Sequence, residues 1–428
     1  MALLADFLIH NTCEVLTCAG PAPRHGARQG DARAIRRAAV ASHQGRIVFI
    51  GFESLVSHEV ELAPGAVVID AGGGAVLPGF VDPHTHVVFA GDRREELRRR
   101  LAGATYAQIA AEGGGILSTV VATRAATEDA LVAATRGRLD EMLRCGTTTC
   151  EAKTGYGLTT ASELKLLEVL ARLRREHAIE IVPTFMGAHE VPIEYRDHRQ
   201  AYIDLVVNEM LPLVAADGLA EWCDVFCETG VFTPHDSRQI LEAGRAAGLK
   251  LRIHADEFGP SGGSRVAADL RVRSADHLMF IDDAGAAALA GAGVVATLLP
   301  IASFYLKVGR FAPGRLLIER GVPVALGTDV NPGGGFSPSI PFAMALACFG
   351  MGLTFEEALV AATINAAYSL DLHDRVGSLE VGKQMDAVIV DGPAIDVVRV
   401  GAATVRTVVK NGGVCAREDT RARDDAQG

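Results

Sequence analysis

Between residues 76 and 326 the chain alternates between two hydrophobic rhythms. Short, nearly continuous apolar runs occur at Val76–Val81, Thr147–Glu151, Ile179–Phe185, Cys223–Cys227, Lys250–His254, Arg273–His277, Val294–Leu299 and Val322–Leu326. Longer amphipathic segments separate them. A strand that is apolar on both faces belongs to a parallel sheet covered by helices. The intervening segments carry helix punctuation. Thr127 precedes Glu128 and Asp129, and Gly146 follows the last turn of that segment. Thr233-Pro234 opens another segment that Gly248 closes, and Thr354 with Glu357 makes a capping box. Eight strand–helix units predict a (β/α)8 TIM barrel, with a doubly wound open sheet as the competing architecture. No Gly-x-Gly-x-x-Gly follows any of the strands, and the Glu-Gly-Gly-Gly segment at 112–115 reads as a flexible loop, not a phosphate cradle.

The two ends of the chain follow a different pattern. Phe7–Ile9, Val15–Cys18, Ala38–Ser42, Ile47–Ile50 and Val67–Asp70 read as short strands, with Pro21–Arg37 as a loop among them. A matching set returns at Ala387–Val390, Val397–Val400 and Thr404–Lys410. A small β-sandwich-like domain built from residues 1–75 and 376–420 is therefore expected beside a barrel of residues 76–375, and the polar last dozen residues are expected to fray. Ala284–Tyr305 is uncharged and long enough to cross a bilayer, but Gly291, Gly293 and Pro300 interrupt it. It reads as a buried helix, a turn and a buried strand.

Composition narrows the function. The 428 residues are 49% hydrophobic and 22% charged, as in globular proteins. With 41 basic against 52 acidic side chains the net charge is −11, which argues against nucleic acid as a partner. No basic segment precedes the first apolar residues and Asp6 interrupts them, so no signal peptide is expected. The eight cysteines form no Cys-x-x-Cys pair and read as reduced core residues of a cytoplasmic protein.

The candidate chemistry lies at the strand ends. His84-Thr85-His86 follows the first apolar run, and in an extended chain alternate side chains share a face, roughly 7 Å apart. A bare His-x-His is also compatible with two hydrogen-bonded structural histidines. However, His84, His86, His189, His254 and His277, five of the 13 histidines, fall at or just past a predicted strand end, and Asp329 follows the eighth strand. In a barrel these positions share one rim, where imidazoles and a carboxylate would make a metal site with acid–base groups to spare.

This pattern resembles the amidohydrolase superfamily of metal-dependent hydrolases. Phe89–Arg93, Glu151–Leu158, Pro183–His189, Cys223–Glu228, His254–Glu257, Ser274–Leu278 and Thr328–Gly333 together are similar to its imidazolonepropionase family. The resemblance covers nearly the whole chain. It implies one zinc or iron ion per subunit, held by His84, His86, His254 and Asp329. It also implies hydrolysis of 4-imidazolone-5-propanoate to N-formimidoyl-L-glutamate. Glu257 would contact substrate and transfer protons, His277 would orient or deprotonate the attacking water, and Asp329 would carry a proton to the leaving nitrogen. Arg93 would grip the substrate carboxylate, Tyr156 and His189 the ring region, and Asn331, Gly333 and Gly334 the product's amide or carboxylate. In this reading Lys153 is a solvated or substrate-loop lysine, and Arg94, Arg98, Arg99 and Arg100 form a solvated helix face. Where the family usually carries a hydroxyl residue after Asn-Pro-Gly, this chain has Gly334 and Gly335, so a backbone N–H would have to serve. The expected partners are a small anionic substrate and a second copy of the chain, with no membrane. A purine or pyrimidine aminohydrolase and a catalytically silent scaffold are the competing functions.

Overall fold

The computed structural model describes residues 2–105, 108–109 and 112–417. Its centre is a parallel eight-stranded sheet whose strands are neighbours in chain order: Phe80–Asp82, Thr147–Lys153, Glu180–Ala188, Trp222–Cys227, Lys250–Ala255, Ser274–His277, Val295–Leu298 and Val324–Leu326. Apart from Glu180 and Lys250 at two strand starts, every residue of these strands is buried, as the continuous apolar runs require. The seam between the last strand and the first is sealed just beyond the strand ends. There Asp329 N–H donates to the His84 carbonyl at 2.9 Å, and His86 N–H donates to the Val330 carbonyl at 2.8 Å. Closing the cylinder thus sets two ends of the chain's middle region, more than 240 residues apart, side by side.

The helix signals hold. Thr127, Thr233 and Thr354 each cap a helix through the side chain, the latter two with complete capping boxes to Asp236 and Glu357. The uncharged stretch folds as helix Asp283–Ala292, a left-handed Gly293 and strand Val295–Leu298. No helix among the described residues is long and apolar enough to cross a membrane.

Two further sheets come from the chain ends. A four-stranded sheet orders Arg46–Phe52, Ala38–His43, Leu3–His10 and Val60–Asp70. A six-stranded sheet orders Gly413–Arg417, Val405–Lys410, Ala387–Val390, Ala75–Pro78, Glu14–Leu16 and Ala34–Arg36, so it mixes strands from both ends. Phe7, Ile9, Val40 and Ile69 of the first sheet pack with Val15, Val76, Ile389 and Val409 of the second in one apolar cluster.

Three sequence expectations change. The run Val76–Val81 is two strands: Ala75–Pro78 belongs to the six-stranded sheet and Phe80–Asp82 to the barrel. Gly79 makes the crossing, because a Cβ there would lie 2.4 Å from Thr148 Oγ1. Val397–Val400 is not a strand; residues Ala394–Val398 form a 3-10 turn after Gly392-Pro393 that buries Val397 against the core. The Pro21–Arg37 loop contains a 3-10 turn and strand Ala34–Arg36, and it sends the buried Gln29 side chain to the Val324 carbonyl at 2.9 Å. All eight cysteines are free; Cys18, Cys150, Cys223 and Cys227 are buried, whereas Cys415 is exposed. The last eleven positions, expected to fray, lie outside the described residues.

Candidate active site

The barrel mouth collects the expected histidines. His84 and His86 lie in the extended segment just after the first strand, not within it, and their ring centroids are 5.4 Å apart. His254 and His277 sit on neighbouring strands, in register with Phe226 and Ala255 respectively. His277 and Asp329 both take left-handed backbone angles, φ 75° and 54°. For a residue with a Cβ that costs on the order of 1–2 kcal/mol, a strain usually kept where a side chain must be aimed.

Ligand atoms gather here in two overlapping triads, His84, His86 and Asp329, and His84, His254 and His277, each with its atoms within 4.8 Å of one another. His84 Nδ1 is 2.7 Å from Asp276 Oδ2, and His254 Nδ1 is 3.1 Å from Asp224 Oδ1. Each carboxylate accepts a hydrogen bond from Nδ1–H, the tautomer that leaves Nε2 as a bare lone pair. His84 Nε2 and His86 Nε2 each lie 3.6 Å from Asp329 Oδ1, and His86 Nε2 is 3.3 Å from His254 Nε2. His84 Nε2 and Asp329 Oδ1 are buried with no hydrogen-bond partner. Such a cluster is costly unless a cation fills it. Ligands about 2.1 Å from a tetrahedral ion stand about 3.4 Å from one another, so the spacing and the N/O donor set fit zinc or a similar ion.

Burial reshapes the charges. Desolvation holds the His84, His86 and His277 imidazoles well below their usual range, and neighbouring histidines add to it, so these rings are neutral ligands or bases. His189 is lowered to about 3 by the same causes. The carboxyls move the other way. Burial raises Asp329 well above the ordinary value, and burial with the charges of Asp329 and Glu228 does the same to Glu257. Glu257 Oε1 lies 3.6 Å from His277 Nδ1.

Beside this cluster opens a small pocket of about 50 Å³. Arg93, Tyr156, His189, Glu257, Asn331, Gly333 and Gly334 all face it, together with His86, His254, His277 and Asp329. The His189 ring stacks on His86 with centroids 4.8 Å apart. Glu96 fixes the Arg93 guanidinium through Nε at 2.8 Å, and the group lies flat against Gly333, where a Cβ would come within 2.4 Å of it. Only glycine allows that approach. The amides of Gly333 and Gly334 donate to Asn331 Oδ1 at 2.8 and 2.6 Å, so the loop braces itself through Asn331.

A model of the amidohydrolase family matches residues 75–415. The imidazolonepropionase of Symbiobacterium thermophilum is 51% identical over 416 residues, covering 96% of this chain and 98% of that protein. The imidazolonepropionase of Alkaliphilus metalliredigens is 46% identical over 413 residues, with 96% and 98% covered. The chain belongs to the imidazolonepropionase family of amidohydrolases. It is accordingly a hydrolase acting on carbon–nitrogen bonds. Among solved structures, an adenosine deaminase from Xanthomonas campestris with bound zinc superimposes with a TM-score of 0.71 at 19% identity, covering 100% of this chain and 98% of the other. An atrazine chlorohydrolase mutant from Arthrobacter aurescens, complexed with zinc and atraton, gives 0.74 at 18% identity, with 98% of each chain covered. At those identities the likeness establishes the barrel fold alone.

Two residues depart from the sequence reading. Lys153 is neither solvated nor on a substrate loop: it ends the second barrel strand, is completely buried, and binds Glu151 and Asp224. Arg100 leaves the exposed face of its helix, is 2% exposed, and donates to the Gly333 carbonyl. Reasoning from sequence also passed over the apolar pocket walls Ile116, Phe226, Phe258 and Leu306, and the carboxylates Asp224 and Asp276 behind the histidines. The last two carried a signal: an acid within an otherwise apolar barrel strand must have a buried partner.

Proposed function

We propose that this mouth binds one zinc or iron ion per subunit through His84, His86, His254 and Asp329 and hydrolyses the ring amide of 4-imidazolone-5-propanoate to N-formimidoyl-L-glutamate. The observation that carries the reading is the gathering of buried imidazoles and a carboxylate, with His84 Nε2 and Asp329 Oδ1 unpartnered, at a pocket that Arg93 also lines. The family relatives named imidazolonepropionase support the substrate. A metal ion bound there supplies Lewis acidity and brings the pKa of a water towards neutrality.

The chain's own residues do the rest. Arg93, preset by Glu96, pairs with the propanoate in a two-pronged contact. Stacked His189 and the Tyr156 hydroxyl orient the imidazolone ring. His277 is held neutral, so it can accept the proton of the attacking water at the carbonyl carbon. Burial and the acidic neighbours Asp329 and Glu228 raise the Glu257 carboxyl well above its usual range, which suits it to give a hydrogen bond or a proton to the ring. Asp329 relays a proton released by the attacking water to the ring nitrogen as the carbon–nitrogen bond breaks, and so returns to its ionised form. We further read the terminal segments, bounded from sequence at 1–75 and 376–420 (residues 1 and 418–420 lying outside the described residues), as a small β-sandwich-like domain beside the barrel, and the enzyme as a cytoplasmic homodimer.

Loss of the imidazolone's ultraviolet absorbance without ammonia release is the expected assay result. Ammonia released from an aminated purine or pyrimidine, with the imidazolone untouched, would replace this reading with a deaminase. No turnover of either by metal-loaded protein would leave the scaffold. Removing the metal with a chelator should abolish turnover, and zinc or iron should restore it. Sedimentation or light scattering reads the dimer directly.

A further inference from the structure

Behind the candidate ligands lies a second layer of charge that the proposed reaction does not use. Glu151, Lys153, Asp224, Arg252 and Asp276 are all buried to within 1% exposure. Lys153 Nζ stands 2.6 Å from Glu151 Oε1, 2.7 Å from Asp224 Oδ2 and 3.9 Å from Asp276 Oδ2. Arg252 closes the group from the other side, 3.2 Å from Asp276 Oδ2 and 3.4 Å from Glu151 Oε1. Asp224 and Asp276 are the carboxylates that orient His254 and His84. Three acids and two bases are thus linked, and the links end on two imidazoles of the mouth. Glu151 touches neither imidazole; it accepts from Lys153 and from Thr184 Oγ1, each at 2.6 Å.

We propose that Lys153 is a positioning residue for metal retention: its ammonium ties the carboxylates behind His254 and His84 into one rigid unit and so holds both rings with Nε2 turned to the mouth. The inference rests on reading His84, His86, His254 and Asp329 as metal ligands. Lys153 touches none of them, so its effect passes through Asp224. Without the ammonium, Asp224 keeps the Val225 N–H and His254 Nδ1 contacts on Oδ1 but loses the contact that fixes Oδ2, so its carboxylate is held less firmly. Loss of an outer partner of this kind typically weakens a metal site by about 10–100-fold.

Two simpler roles make different predictions. A lysine acting only as a nearby positive charge repels a metal cation, so its removal would tighten binding. A lysine that only stabilises the fold would lower the thermal midpoint of the metal-free protein and leave metal affinity unchanged.

The experiment is zinc affinity, measured by competition with a chromophoric chelator, on full-length metal-free protein. Wild type, Lys153→Met, Asp224→Asn and the double variant are compared, with thermal midpoints recorded in parallel. Lys153→Met is expected to bind zinc about 10–100-fold more weakly, and Asp224→Asn to do the same. The double variant should lose little beyond the larger single loss, because both changes act on one chain of contacts. Should Lys153→Met fail to fold, Lys153→Gln takes its place with the same criteria. Zinc bound as tightly as by wild type, or more tightly, overturns the proposal, and so do fully additive losses. If wild type itself retains no zinc or iron, the metal reading falls, and the positioning role falls with it.

Discussion

The barrel mouth and the terminal sandwich are both buried, yet they are built on opposite terms. Between the terminal sheets, Phe7, Ile9, Val40, Ile69, Val76, Ile389 and Val409 meet as apolar side chains whose burial is favourable in itself. At the mouth, His84, His86, His277, Glu257 and Asp329 are buried at a cost, and each is pushed towards its neutral form. Two of them also hold strained backbone angles. The comparison teaches where the molecule keeps its stability and where it spends some of it. An apolar shell holds in place a polar cluster that would not assemble by itself, and the ligand atoms it gathers mark a candidate cation site.

The sharpest way to break this contrast is His254→Ala. It removes one of the proposed ligand atoms and leaves Asp224 without its imidazole partner. Bound metal, measured by atomic emission, and imidazolone turnover should be lost together. Losing ~4 kcal/mol of barrier lowering means a rate about a thousandfold lower. Full metal content with no activity would instead place His254 outside the ligand set.

In the sandwich the expected result is the reverse. Ile389→Ala empties part of the cluster between the sheets and should cost about 2–5 kcal/mol in chemical denaturation, with kcat and KM unchanged in the folded fraction. A change in KM would mean that the terminal sheets are coupled to the pocket.

Arg93→Ala sharpens the division within the mouth itself. It should raise KM about 10–100-fold, the ~1.5–3 kcal/mol of a charged hydrogen bond, and leave metal content untouched. If KM and kcat both stay put, the carboxylate clamp is elsewhere.

The smallest effect is expected on helix Arg94–Leu101, which Arg93 directly precedes. Arg98, 81% exposed at the side chain, pairs only loosely with Glu95 at 3.9 Å, and Arg98→Ala should change stability by less than about 0.5 kcal/mol and kinetics not at all. Together the two arginines separate a functional cation from a solvated one.

Much of this was legible in the chain. Strand and helix periods, threonine caps and the absence of a dinucleotide fingerprint are local properties, and they were enough to predict eight strand–helix units with histidines at their ends. The motif segments were enough to point to the family. The limits appear at particular residues. Val76–Val81 reads as one apolar run, and only the contact of Gly79 with Thr148 shows where the chain leaves one sheet for another. Val397–Val400 has strand-like composition but packs as a turn. Arg93, Arg98 and Arg100 look alike in sequence, and their fates diverge with which side of the helix faces Gly333.

By itself, then, the sequence determined which elements form and which residue types stand at their ends, because those depend on neighbours a few positions away. Tertiary structure alone decided the seam that sets His84 beside Asp329, the burial of Lys153 between two carboxylates, and the approach of Arg93 to Gly333. Each of these depends on groups distant in the chain, and the energy of a buried charge is set by what closes around it rather than by its own segment.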